Sequence, residues 1–220
     1  MQPTYLPWIG YFNLIKNAEI FVVYDSAQFS KQSWQQRNKL RSKDSELILT
    51  IPVIKNSINT KINELLISDE KRVLKKHLKT IKLNYSKSNN FDKYISEIEN
   101  IYDQSYGKLV ELNLEIIRFG CKVFDIKTKI VLSSNIQYEG FKNDALISMC
   151  KQLNIDTYIS PEGAKGYIDK KLFEKNNINL EFQKYNHPIY NQLDYNDFIS
   201  HLSFIDFLFN NKTKNFKKWI

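Results

Sequence analysis

Several residue types are scarce in this chain, and each shortage excludes a class of protein. Only two cysteines occur in 220 residues, Cys121 and Cys150, so the sequence has neither a disulfide framework nor metal-ligand spacing. Both lie in apolar helical patterns, which predicts buried thiols in a reducing compartment. The motifs of serine hydrolases, zinc proteases, P-loop proteins and dinucleotide-binding folds are also missing, and no metal site is predicted.

Long apolar runs are absent as well. No stretch of about 18 apolar residues occurs, so no membrane-spanning helix is predicted. The opening residues lack the positive and apolar regions of a signal peptide. Together with the cysteine usage, these absences predict a cytoplasmic protein.

Arginine is scarce although the chain is basic. The formal net charge is +8, yet arginine occurs only at Arg37, Arg41, Arg72 and Arg118. Because arginine is the residue that makes bidentate contacts with phosphate and guanine, we expect no nucleic-acid partner. The positive field suits an anionic small substrate or an acidic carrier protein instead.

What the chain does contain is an alternation of strand and helix patterns. Short apolar runs such as EIFVVYD, ELILTIPVI and TKIVLSS predict strands, whereas residues 69–124 follow a helical period and predict three helices. Such alternation is typical of an α/β fold with a mostly parallel sheet flanked by helices. We expect a single Rossmann-like domain over residues 1–220, with a helical insertion at about 69–124.

Polar loops follow several of the predicted strands, at the edge where α/β proteins bind ligands. The first of these segments contains Asp25, Gln28, Trp34, Arg37, Asn38 and Lys39. Arg37 and Lys39 can hold phosphates, Asn38 can bind a sugar or amide group, and Trp34 can stack on a ring. A capped loop with a solvated basic face explains the same residues, and the two interpretations stay open.

His187 is the histidine best placed for proton transfer. It lies in the loop YNHPIYNQ directly after a predicted strand, where a side chain can reach a site. His77 lies on the apolar side of a helix, which favours a structural role, and His201 falls in the predicted last helix and can be either. A structural role for His187 also stays open.

The loop SPEGAKGY offers a possible anion cradle. Lys165 lies between Gly163 and Gly166, so backbone amides and an ammonium group come together there. An ordinary turn explains the same residues.

The opening QPTYLPW combines two prolines with two large aromatic residues before a helical pattern follows. Pro7 suits the first turn of that helix. We expect Leu6, Ile9 and Phe12 to pack in the core. The residues expected to face a cleft shared with Asp25 and His187 are Gln2, Tyr5, Trp8 and Tyr11.

The segments QPTYLPWIGYF, FVVYDSAQF, SWQQRNKL, YISPEGAKGYID, HPIYNQ and HLSFIDFLFN, in this order from Gln2 to about Asn210, resemble the WbqC-like family of bacterial proteins. The resemblance implies a setting in surface polysaccharide and O-antigen assembly, with a nucleotide sugar or glycan precursor as substrate. Family members usually carry a short apolar strand before the Gln-Pro motif, so a shortened or lost first strand is expected. The site positions that the resemblance implies are Gln2, Tyr5, Trp8, Tyr11, Asp25, Gln28, Trp34, Arg37, Asn38, Lys165, His187 and Gln192.

These features lead to the hypothesis of a transferase that moves an acyl or aminoacyl group to the amine of a nucleotide-linked amino sugar. Such chemistry needs a base, oxyanion donors and a diphosphate cleft. We expect no tightly bound cofactor. The acyl donor would be a carrier-protein or CoA thioester, so an acyl carrier protein is an expected partner. The roles would be base and orienter for His187 and Asp25, oxyanion donor for Asn38 or Gln192, and anion binding for Arg37, Lys39 and Lys165.

Two other functions fit the sequence less directly. The stretch PTYLPWIGYF is similar to the entry of HIGH-type nucleotidylyltransferases, although the two histidines of that signature are absent. A non-catalytic binding protein in glycan assembly is the other alternative.

Overall fold

The computed structural model describes residues 1–43, 45–55, 57–193, 197–212 and 216–220. The helices are α1 (Ile9–Lys16), α2 (Glu70–Tyr85), α3 (Phe91–Tyr102), α4 (Leu109–Val123), α5 (Asn143–Gln152), α6 (Lys170–Lys175), α7 (Phe204–Asn210) and α8 (Phe216–Trp219). The strands are β1 (Ile20–Val23), β2 (Arg37–Arg41), β3 (Glu46–Thr50), β4 (Val53–Ile54), β5 (Leu66–Ile67), β6 (Lys129–Leu132), β7 (Thr157–Ser160) and β8 (Asn179–Phe182). Helices α2, α3 and α4 lie where the helical period predicts three helices.

The strands confirm the α/β class but do not join into the one mostly parallel sheet that the alternation predicts. In the described part of the chain they form four two-stranded sheets. The pairs β1–β6 and β7–β8 are parallel, whereas β2–β3 and β4–β5 are antiparallel. Only four residues separate β2 from β3, and so short a connection permits only an antiparallel pair.

Met1 pairs with the free edge of β1. Its amino group donates to the Val22 carbonyl at 2.7 Å, and its carbonyl accepts from the Tyr24 amide at 2.8 Å. Burial lowers the pKa of this amino group to about 5. Beside it, an apolar cavity of about 310 Å³ separates β1 from β7.

The helices enclose a large aromatic core. Phe12, Phe124, Phe204 and Phe207 pack against one another, and a smaller apolar cluster lies around Phe173 between α5, α6 and β8. Leu6, Ile9 and Phe12 are buried, as predicted.

Both cysteines are free and buried, as predicted, and burial raises the pKa of Cys121 to about 12 and that of Cys150 to about 11. In the described residues no helix has both the length and the apolarity needed to cross a membrane.

Helix α2 joins this core through one apolar face. Leu74, His77, Ile81 and Tyr85 are buried at the three- and four-residue spacing of a helix stripe. The Tyr5 hydroxyl lies 2.9 Å from Nδ1 of His77 and 2.5 Å from the Tyr102 hydroxyl. Burial is the main reason that the pKa of His77 falls to about 4, so its ring stays neutral at neutral pH. His77 therefore has the structural role that its helical position favours.

The lowered pKa of His77 predicts a pH-dependent stability. Because the folded-state value of about 4 lies below the ordinary 6.5, the stabilising contribution is complete above pH 6.5 and disappears as the pH falls to about 4. His77→Gln keeps an acceptor for the Tyr5 hydroxyl but does not titrate. Between about pH 7 and pH 4 the wild-type free energy of unfolding should fall by up to about 3 kcal/mol more than that of the variant, measured by urea denaturation. Parallel curves for the two proteins would contradict the assignment.

Candidate functional site

Asn38 fixes the shape of the proline-rich loop that opens the chain. Its side-chain amide donates to the carbonyls of Tyr5 and Leu6 at 3.0 and 2.8 Å, and its Oδ1 accepts from the Lys39 amide at 2.8 Å. Leu6 has a φ of 43°, a strained value for a side-chain-bearing residue. Since every polar atom of the Asn38 side chain bonds the backbone, Asn38 positions the loop and is not available as an oxyanion donor.

The same loop delivers Trp8 to the start of α1. The Pro7 carbonyl accepts from the Phe204 amide at 2.8 Å, which ties this point to the start of α7. The indole ring of Trp8 lies over Gly10, where any Cβ would overlap it. Trp8 stays partly exposed as a result, whereas its neighbours on both sides are buried.

Three rings meet at this point, and we call Trp8, His187 and His201 the ring cluster. The Trp8 and His187 rings are nearly parallel, with an interplanar angle of 9° and centroids 5.8 Å apart. His201 lies 4.8 Å from Trp8 and 4.7 Å from His187, centroid to centroid. Tyr185 packs against one side of the cluster, with its ring at 70° to that of Trp8 and the two centroids 5.5 Å apart.

His187 has both ring nitrogens engaged. Its Nδ1 lies 2.9 Å from the Pro188 carbonyl, which fixes the proton on Nδ1, and its Nε2 accepts from the His201 amide at 3.2 Å. Burial, with the neighbouring His201 as a smaller cause, lowers the pKa of His187 to about 4. The geometry gives His187 the task of positioning His201, and it does not support the expected role of a free base.

His201 is the histidine that reaches solvent. It lies in the segment before α7 and not inside the last helix, where the sequence pattern places it, and it has a φ of 60°. Its Nδ1 lies 2.9 Å from the Ser200 hydroxyl, and no hydrogen bond to its Nε2 occurs within the described part of the chain. Burial and the charge of Lys39 lower the pKa of His201 below its usual 6.5, so the ring is neutral at neutral pH.

A basic face lies beside the ring cluster, formed by Trp34, Arg37 and Lys39. Trp34 is 48% exposed, with the Arg37 guanidinium 5.7 Å and the Lys39 ammonium 5.9 Å from its ring centroid. Because strand residues alternate, β2 points Arg37 and Lys39 outward while Asn38 points inward. The Lys39 carbonyl accepts from the Ser203 amide at 2.8 Å, which joins this face to the segment that carries His201.

Asp25 lies in a separate cluster at the ends of β1 and β6. One of its carboxylate oxygens accepts from the Ser133 hydroxyl and the Ser134 amide, at 2.8 and 2.9 Å, and the other accepts from the Ser134 hydroxyl at 2.7 Å. The carboxylate is 1% exposed and holds the two strand ends together. No contact joins it to His187 among the residues that the structure describes, so the expected base–orienter pair is not formed.

The other predicted site residues divide between core and surface. Tyr5 and Tyr11 are 0% and 1% exposed, so the expectation that they face a cleft is wrong. Gln192 is buried and bonds both Ile199 and the carboxylate of Asp206. Gln2 is exposed and accepts from Gln35, whereas Gln28 bonds the Ile58 carbonyl. Lys165 pairs with Glu162 at 2.6 Å.

Comparison with known proteins assigns the chain to a family. The model of the WbqC-like protein family matches residues 2–218. The chain belongs to the WbqC-like family. It is 30% identical over 213 residues to the uncharacterized protein Rv1507c of Mycobacterium tuberculosis, a match that covers 96% of this chain and 91% of that protein. No solved structure matches significantly.

In this WbqC-like protein the motif residues have two different tasks. Asn38, Asp25 and Gln192 hold buried backbone and side-chain groups, while Trp8, Arg37 and Lys39 reach the surface near one another. Among the described residues, no three His, Cys, Asp or Glu side chains come together as a metal site. His201 belongs to this candidate site, although the sequence pattern placed it inside a helix. Ser203 caps the start of α7, and a serine at this position was the signal that the helix begins after His201.

This division predicts stability effects of very different size at two of these residues. Asp25→Ala leaves the buried Ser133 hydroxyl and two further donors without an acceptor, so it should lower the free energy of unfolding by about 3 kcal/mol. His201→Asn removes a solvent-exposed ring and its contacts with Trp8 and His187, and asparagine tolerates the positive φ, so the change should stay within about 1 kcal/mol. Urea unfolding measures both. A stable Asp25→Ala protein would show that the carboxylate is not a structural clamp.

Proposed function

We propose that this protein is a transferase of surface polysaccharide or O-antigen biosynthesis, acting on a nucleotide-linked amino sugar. The reaction is acyl or aminoacyl transfer to the sugar amine. The observation that supports it best is the meeting of an exposed, neutral imidazole with two aromatic platforms and two cations on one surface. Family membership supports the setting, and the contacts of Trp8, His201, Arg37 and Lys39 support the chemistry.

The surface suits the two halves of a nucleotide sugar. The rings of Trp8 and Trp34 offer apolar faces on which a sugar ring or a base can pack. Arg37 and Lys39 offer the charge and the donors that a diphosphate needs. Lys39 also has a carboxylate partner, Glu46 at 2.6 Å, which a phosphate group would have to displace.

His201 is the proton acceptor in this proposal. The sugar amine attacks the thioester carbonyl, the C–N bond forms, and Nε2 of His201 takes the amine proton. When the C–S bond breaks, the imidazolium returns that proton to the leaving thiolate. His187 acts by positioning His201, because its Nε2 accepts a hydrogen bond from the His201 backbone amide and its ring packs beside the His201 ring.

Substrate binding should depend on the basic face. Arg37→Met and Lys39→Met should each weaken the binding of a uridine diphosphate amino sugar by about tenfold, since each removes a charged hydrogen-bond donor to phosphate. Isothermal titration calorimetry gives the dissociation constants. Arg118→Met is the matched control, because Arg118 is exposed and pairs with Glu115 away from the site. Equal losses in the control and the site variants would count against the proposed site.

Catalysis should depend on His201. His201→Asn should lower kcat by about a hundredfold with little change in KM, because general-base assistance is worth that much in a typical enzyme. The acid limb of the pH–rate profile should lie below the ordinary imidazole range, in line with the lowered pKa of His201. The assay pairs CoA or carrier-protein thioesters with nucleotide amino sugars. If no pair gives product and the protein releases pyrophosphate from ATP or CTP, acyl transfer is wrong and nucleotidyl transfer is the activity.

A further inference from the structure

Helix α2 carries most of the net charge of the chain. Its sixteen residues include six Lys or Arg side chains and one Glu, a net charge of +5 against +8 for the whole protein. The proposed reaction gives no task to this charge, because α2 supplies none of the exposed residues of the candidate site.

The charge forms an ordered row on the outer face of the helix. Lys71, Lys75 and Lys79 are spaced four residues apart and exposed, and we call them the lysine row. One more step along the row reaches Leu83, which is 79% exposed. The opposite face of α2 is the buried stripe that packs into the core.

The lysine row has no carboxylate partner in the described structure. Elsewhere on α2, Lys82 pairs with Glu99 and Arg72 with Asp69, but no ion pair involves Lys71, Lys75 or Lys79 within the described residues. Like charges four residues apart repel each other and weaken a helix. An anionic partner along this face would relieve that repulsion, whereas the free protein retains it.

The row discriminates between kinds of anionic partner. It contains no aromatic side chain on which bases could stack, which disfavours single-stranded nucleic acid. Insertion into a membrane needs an outward apolar face, and the apolar face of α2 is buried in the core. A helix that presents carboxylates at the same four-residue spacing matches the row, and one apolar residue on it can contact Leu83.

We propose that the lysine row and Leu83 form a docking surface for an acidic helical protein. The surface lies on the far side of α2 from His77, which contacts Tyr5 in the loop that carries Trp8. The lysine row shares no residue with the ring cluster or the basic face. The proposal concerns binding alone and holds whether or not the protein catalyses acyl transfer.

The test uses a fluorescently labelled apo acyl carrier protein as a small acidic helical probe. The site variant is Lys71→Gln, Lys75→Gln and Lys79→Gln together, and the matched control is Lys129→Gln, Lys171→Gln and Lys175→Gln, which removes the same charge from exposed lysines elsewhere. Fluorescence anisotropy should show binding that weakens with salt, an affinity about tenfold lower for the site variant, and little change for the control. The melting temperature of the site variant should stay equal or rise, because the repulsion is removed.

Several outcomes would overturn the proposal. Equal losses in both variants would mean that net charge alone drives binding. Failure to bind the carrier, or binding that prefers phosphatidylglycerol vesicles or duplex DNA in parallel titrations, would overturn the assignment of the row to an acidic helical protein. Because the apo carrier bears no acyl group, this result is independent of any transfer assay, and the failure of one proposal is distinguishable from the failure of the other.

Discussion

The side-chain amide of Asn38 is the interaction on which the rest of the site depends. The loop before α1 lacks two backbone donors because of Pro3 and Pro7, and it turns through a left-handed Leu6. The carbonyls of Tyr5 and Leu6 are buried there, and a buried carbonyl without a donor is costly. One asparagine supplies both donors. The path of the loop is thereby fixed, and with it the position of Trp8.

Strand β2 connects the Asn38 hydrogen bonds to the exposed basic face. Its alternation places Asn38 against the loop and Arg37 and Lys39 on the outside, so the group that shapes the loop and the cations beside it share one backbone. The Lys39 carbonyl also holds the Ser203 amide, which brings the segment with His201 to the same place. The ring cluster thus brings Trp8 of the N-terminal loop against His187 and His201, which both lie between β8 and α7, far from Trp8 in sequence.

Local pattern was sufficient for part of this architecture. The helical period of residues 69–124, the apolar strands and the burial of Leu6, Ile9 and Phe12 all follow from side-chain spacing, and the structure shows them. Pattern could not show that the Tyr5 hydroxyl bonds His77, because that contact joins residues 72 positions apart. For the same reason Asn38 and Asp25 resembled ligand-binding groups until their partners were visible. The sequence pattern placed His201 inside a helix because the apolar period begins before Phe204, where α7 starts in the structure.

The two proposals use separate surfaces, since the transfer site lies over β2 and α1 and the docking surface lies on the outside of α2. The most direct measurement is a crystal structure of the protein soaked with a uridine diphosphate amino sugar. The account predicts density for the diphosphate beside Arg37 and Lys39 and for the sugar against Trp8, with its amine facing Nε2 of His201. Ligand density confined to the cavity between β1 and β7, with the ring cluster empty, would contradict it.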